Sequence, residues 1–178
     1  MIGSVNSRVH YSAKPPTETA GGGSRAAKTP SLASLKKKWG KSYLCKAAME
    51  GQTLKQALKN LRDSTPPLRL TKKIEAAFRQ MILDYSPTYH DNGPEPLALS
   101  AAERQGKSNI RPNATEAWVW NQFFVNQGAA FRGNLSYVDS DPTAITANNN
   151  IYTRFQICEK WLRANPDILN RLIEKLTD

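Results

Sequence analysis

From Ser31 onward apolar residues recur every three or four positions, and before it they follow no period. Ser31 or Ser34 can cap a helix running through Leu35, Trp39, Tyr43 and Leu44 to Met49, weakened at Gly40 and interrupted at Gly51. Glycine loses the most backbone freedom in a helix, which is why both positions count against continuity. Thr53 to Asp63 continues with Leu54, Leu58 and Leu61 at i, i+4 and i+7, until Pro66 and Pro67 remove two backbone donors. Thr71 caps a further helix to about Tyr85. Ile74, Ala77, Phe78, Met81, Ile82 and Tyr85 share one face of it.

Residues 86–112 carry no period and contain Pro87, Asn92-Gly93-Pro94 and Pro96, with room for a short helix at Ala98 to Gln105. They are expected to form a long loop. Asn113 or Thr115 then opens a helix through Trp118, Trp120, Phe123, Phe124 and Val125. These side chains point to nearly every side of the wheel, which demands burial in a core or in a subunit contact. Residues 128–150, with Gly128, Gly133, Asp141-Pro142 and Asn148-Asn149-Asn150, are expected to form a second loop. Two closing helices follow. Ile151, Phe155, Cys158 and Leu162 line one; Asn165 caps the other with Pro166 at its first position, and Ile168, Leu169, Leu172, Ile173 and Leu176 form its stripe. No alternating strand and no internal repeat is visible. The expected fold class is all-α: a helical bundle at residues 31–178, with an extended basic arm at 1–30 and two long loops.

Charge changes this picture from a generic bundle to a polarised one. Sixteen basic residues and four acidic ones lie in positions 1–79, against nine basic and 11 acidic in 80–178. The net charge of +10 is therefore a +12 front and a −2 back. The arm holds Arg8, Lys14, Arg25 and Lys28 amid Pro15-Pro16, Gly21-Gly22-Gly23 and many small polar residues, too little apolar surface to offset the entropy of ordering. Lys36, Lys37, Lys38, Lys41 and Lys46 crowd the first helical region. Lys55, Lys59 and Arg62 form a ridge a quarter-turn from the leucine stripe, and Arg69, Lys72, Lys73 and Arg79 fall roughly opposite the apolar face of the next helix. One lysine cluster is usually a solvated face. Several agreeing clusters imply a polyanionic partner, with nucleic acid, DNA or RNA, the first candidate. Without an aromatic strand platform, a zinc knuckle or a helix-turn-helix bearing polar reading residues, contact with the phosphate backbone is expected, independent of sequence.

Enzyme chemistry finds little footing. Ala101, Gly106, Lys107 and Ser108 loosely match a phosphate-binding loop, but the first glycine is missing and Pro94 and Pro96 break the strand that should precede it. His10 and His90 stand 80 positions apart, at no metal-ligand spacing with Cys45 or Cys158. Asp139 and Asp141, followed by Pro142, read as a turn. The two cysteines read as small buried hydrophobes. No cofactor, metal or small-molecule substrate is expected, and neither a secretory signal nor a membrane span is apparent.

Two segments resemble the major coat proteins of rod-shaped and filamentous archaeal viruses with double-stranded DNA. One is the basic arm leading into Lys37-Lys38-Trp39-Gly40-Lys41; the other is Arg163-Ala164-Asn165-Pro166-Asp167-Ile168-Leu169, opening the last helix. The resemblance implies a coat subunit, located in the virion and in the host cytoplasm during assembly. It pairs with an identical or homologous copy, its arm and first helices wrapping A-form DNA and its apolar helices joining subunits. On that reading Trp118, Trp120, Phe123, Phe124, Trp161, Leu169, Leu172, Ile173 and Leu176 make the subunit contact. A competing reading takes the Ser/Thr/Pro/Gly-rich start as the export signal of a secreted bacterial effector, its basic faces meeting acidic proteins or membranes.

Overall fold

The computed structural model describes residues 30–90 and 115–178, and of residues 85–90 only the backbone. Within that range every regular element is a helix: α1 (Leu32–Trp39), α2 (Tyr43–Glu50), α3 (Leu54–Ser64), α4 (Lys72–His90), α5 (Ala117–Leu135), α6 (Pro142–Arg163) and α7 (Pro166–Lys175). The expected arm (Pro30 excepted), the helix at Ala98 to Gln105 and the phosphate-loop-like segment lie outside the described residues.

The first three helices are short because each has its own start and stop. Ser31 Oγ accepts from the Ser34 N–H at 3.1 Å, and Ser42 Oγ accepts from the Cys45 N–H at 3.0 Å. Both are side-chain caps for donors that a helix start leaves unpaired. Gly51 ends α2 in the left-handed region with φ 72°, while the Gln52 N–H reaches back to the Ala47 carbonyl at 2.8 Å. That closing bond needs a residue without a Cβ penalty. Thr53 and Gln56 then cap α3 reciprocally, at 3.1 and 2.8 Å.

Three expected boundaries change. The helix expected to run on past Gly40 to Met49 is split there, with residues 40–42 as a corner between α1 and α2. α4 runs to His90 instead of ending near Tyr85; Pro87 withholds one backbone donor without stopping the helix. The largest correction is at residues 128–150. α5 continues to Leu135, only residues 136–141 form the turn, and α6 starts at Pro142 with Asp141 as its N-cap. Gly128 lies within α5 where α2 passes close by: a Cβ placed there would lie 3.4 Å from the Ala48 Cβ. Asn148 is fully buried in α6. Its Nδ2 donates to the Phe131 carbonyl at 3.2 Å and its Oδ1 accepts from Asn134 Nδ2 at 3.0 Å. Bonds between helices offset the poor helix propensity of asparagine.

α6 is the hub, packing against α2, α4, α5 and α7. Between α4, α5 and α6 lies an aromatic stack: Phe78 parallels Trp161 at 4.1 Å and Trp120 at 6.0 Å. The Trp161 indole N–H donates to Glu75 Oε1 at 2.9 Å, satisfying a polar atom that burial would otherwise orphan. Phe155 meets Phe123 and Phe124, and Trp39 and Phe131 pack in a T shape with ring centres 5.2 Å apart. The segment before α4 is tied to the end of α6. The Leu68 N–H donates to the Arg163 carbonyl at 2.9 Å, and Arg163 returns two bonds to the Pro66 carbonyl.

Candidate polyanion-binding surface

The basic residues of the front end up largely on the outside. Lys36, Lys37, Lys38, Lys41, Lys46, Lys59, Arg62, Arg69, Lys72 and Lys73 are exposed, whereas Lys55 and Arg79 are half-buried. Lys36, Lys37, Lys41, Lys46, Lys55, Lys59, Lys72 and Lys73 have no ion pair among the described residues. Arg62 is engaged, with Nε donating to Asp63 Oδ1 at 2.9 Å and Nη1 to Asn170 Oδ1 at 3.4 Å. Residues 30–90 thus hold 12 basic and four acidic side chains, against six and seven in residues 115–178. Arg8, Lys14, Arg25 and Lys28 lie outside the described residues.

Lys38 differs from its neighbours. Its ammonium donates to Asn149 Oδ1 at 3.0 Å and stands 5.8 Å from the centre of the Tyr152 ring. The same Asn149 oxygen accepts the indole N–H of the fully buried Trp39 at 2.9 Å. One uncharged acceptor on α6 therefore fixes the end of α1. A second acceptor fixes the start of α2: buried Glu159 takes Ser42 Oγ at 2.6 Å and the Leu44 N–H at 3.2 Å on Oε2. Desolvation raises the Glu159 pKa above the usual carboxylate value, opposed by Ser42, the α2 N–H groups and Arg163. A carboxylate at a helix N-terminus also meets the positive end of the macrodipole. Neither residue stood out in the sequence. Asn149 sat in a supposed loop, and Glu159 was one acid among charged neighbours on an amphipathic helix.

The expected subunit-contact set is corrected. Trp120, Phe123, Phe124, Trp161, Leu169, Leu172, Ile173 and Leu176 are all buried within the single chain. α5 is apolar on several sides because α2, α6 and the aromatic stack surround it, which is the core alternative. Of the nine, only Trp118 faces outward, 55% exposed, with Val125 two turns along at 53%. Leu70 and Tyr137 are the other large exposed hydrophobics among the described residues.

The other candidate groups among the described residues hold structural places. No group of three or more His, Cys, Asp or Glu side chains able to hold a metal occurs among the described residues. Cys45 and Cys158 are both buried and free. Burial pushes the Cys45 thiol up to about 12 and Cys158 higher still, the reverse of what a nucleophile needs. Asp141 caps α6 through the Thr143 N–H, and Asn165 is the N-cap of α7 through its carbonyl, which accepts the Ile168 and Leu169 N–H at 3.0 and 3.1 Å, while its side chain donates to the Trp161 carbonyl at 2.7 Å. No described helix is long and apolar enough to cross a membrane. Comparison with known proteins finds no matching family model, no matching curated protein and no matching solved structure.

Proposed function

We propose that this protein is a structural nucleic-acid-packaging protein, a coat subunit that wraps double-stranded DNA through backbone contacts indifferent to sequence. The observation that carries the reading is the exposed, largely unpaired lysine surface of α1–α4 set against a nearly charge-balanced remainder. Lysine is a flexible point-charge donor, suited to phosphates and poorly suited to bidentate reading of bases. The residues flanking Trp39, and those opening α7, add the likeness to archaeal filamentous coats. Filament contacts fall to the exposed hydrophobics, Trp118 and Val125 on α5 together with Leu70 and Tyr137, because the other eight residues of the expected contact set are buried inside the chain.

The test is assembly. The full chain is mixed with linear duplex DNA of arbitrary sequence and viewed by negative-stain electron microscopy. Regular coated filaments are the expected result. Naked DNA beside dispersed protein at low salt overturns the reading.

A further inference from the structure

The lysines of the front are not equivalent, and the docking of α1 and α2 onto α6 separates them. The corner between these helices is closed by the Gly40 N–H to the Lys36 carbonyl at 2.8 Å, Lys41 N–H to Lys38 at 3.2 Å, and Ser42 N–H to Trp39 at 3.0 Å. Beneath it Leu35, Trp39, Ser42 and Leu44 are buried. Asn149 and Glu159 grip its two sides from α6, ten residues apart and so about 15 Å along the helix axis. Lys36 and Lys37 on α1, Lys41 in the corner and Lys46 on α2 are exposed, with no ion pair among the described residues.

We infer that this corner is a rigid contact for the phosphodiester backbone of a nucleic acid, made by Lys36, Lys37, Lys41 and Lys46. Asn149 and Glu159 are its positioning residues, and Lys38 is a structural cation outside the contact. The inference rests on the nucleic-acid reading above and narrows it. A charged surface whose backbone is already ordered loses less freedom on binding than one that must fold against its ligand. Lys38 is also exposed, but its ammonium is already held by Asn149 and lies near the Tyr152 ring. The α3 ridge is a weaker rival, since Lys55 is half-buried and Arg62 is held by Asp63 and Asn170. That leaves Lys59 as its unengaged, exposed cation.

The salt dependence of binding reads charges one at a time. Each phosphate neutralised contributes about −0.9 to the slope of log affinity on log salt. Lys36→Met, Lys37→Met, Lys41→Met and Lys46→Met, made singly in the full chain and titrated with duplex DNA, should each shallow the slope by about that amount. Lys38→Met should leave the slope unchanged while lowering the melting temperature. Asn149→Leu should weaken binding at an unchanged slope, measured where its helical circular dichroism equals that of the wild type. A mere stability role for Asn149 predicts no affinity change under that condition, and that result removes it as a positioning residue. The contact assignment is overturned if Lys38→Met shallows the slope as its neighbours do. It is equally overturned if the four outward variants leave the slope intact while the wild type binds. The lysine series decides this even if Asn149→Leu fails to fold. A wild-type chain that binds no duplex overturns the broader reading as well, so the two failures are distinguishable.

Discussion

Replacing Asn149 by Ala should cost far more than its place on a partly exposed helix face suggests. The side chain accepts the Trp39 indole N–H at 2.9 Å, and Trp39 is fully buried in the intact chain, so truncation removes the protein acceptor of a buried donor. Stranding a buried donor costs about 1–3 kcal/mol. The Lys38 bond to the same oxygen is exposed and adds at most ~1 kcal/mol. A total near 2–3 kcal/mol corresponds to a fall of roughly 5–10 °C in melting temperature for a chain of this size. Thermal denaturation followed by circular dichroism measures it, and a double-mutant cycle assigns it. In a Trp39→Phe background the donor is gone, so Asn149→Ala should cost only what Lys38 loses, about 1 kcal/mol or less. Equal costs in the two backgrounds, or a single-variant cost below about 0.5 kcal/mol, would refute the reasoning, because the orphaned indole would then not be the cause.

Glu159 gives a pH dependence of known sign. Its folded pKa lies above the ordinary value of 4.5, so the native state holds a proton that the unfolded chain has released. Stability should therefore fall as pH rises from about 4.5 through the folded value, and Glu159→Gln should flatten that part of a urea-midpoint profile. Gly51→Ala should destabilise by about 1–2 kcal/mol in chemical denaturation, since φ is 72° there, even though nothing crowds the position. Both thiols should resist a thiol-reactive probe in the native protein and titrate fully only after unfolding. Labelling of Cys45 at neutral pH without unfolding would contradict its burial and its elevated pKa.

Helix existence was legible wherever the apolar stripe was long and its ends carried ordinary signals. Ser31, Gly51, Thr53, Thr71 and Pro166 mark termini through local chemistry, and local chemistry is what a sequence displays. Residues 128–150 misled for the opposite reason. Gly128 and the three asparagines have poor helix propensity, and the bonds that favour helix at two of them are not local: Phe131 and Asn134 around Asn148, Trp39 and Lys38 around Asn149. The aromatic run of α5 misled in another way. Residues on several sides of one helix can all be buried when neighbours surround it, and nothing local separates that from a subunit contact. The exposed lysines were legible as charge. Which of them are already engaged was not, since Lys38 differs from Lys37 only through α6.

On the proposed function the positive front holds a polyanion by its phosphates. The most direct test is the affinity of the full chain for two duplex DNAs of unrelated sequence, measured across a range of salt concentrations. The account predicts near-equal affinities and a steep linear fall of log affinity with log salt, about −0.9 for each phosphate neutralised. Binding that is absent at low salt, insensitive to salt, or confined to one of the two sequences would contradict it.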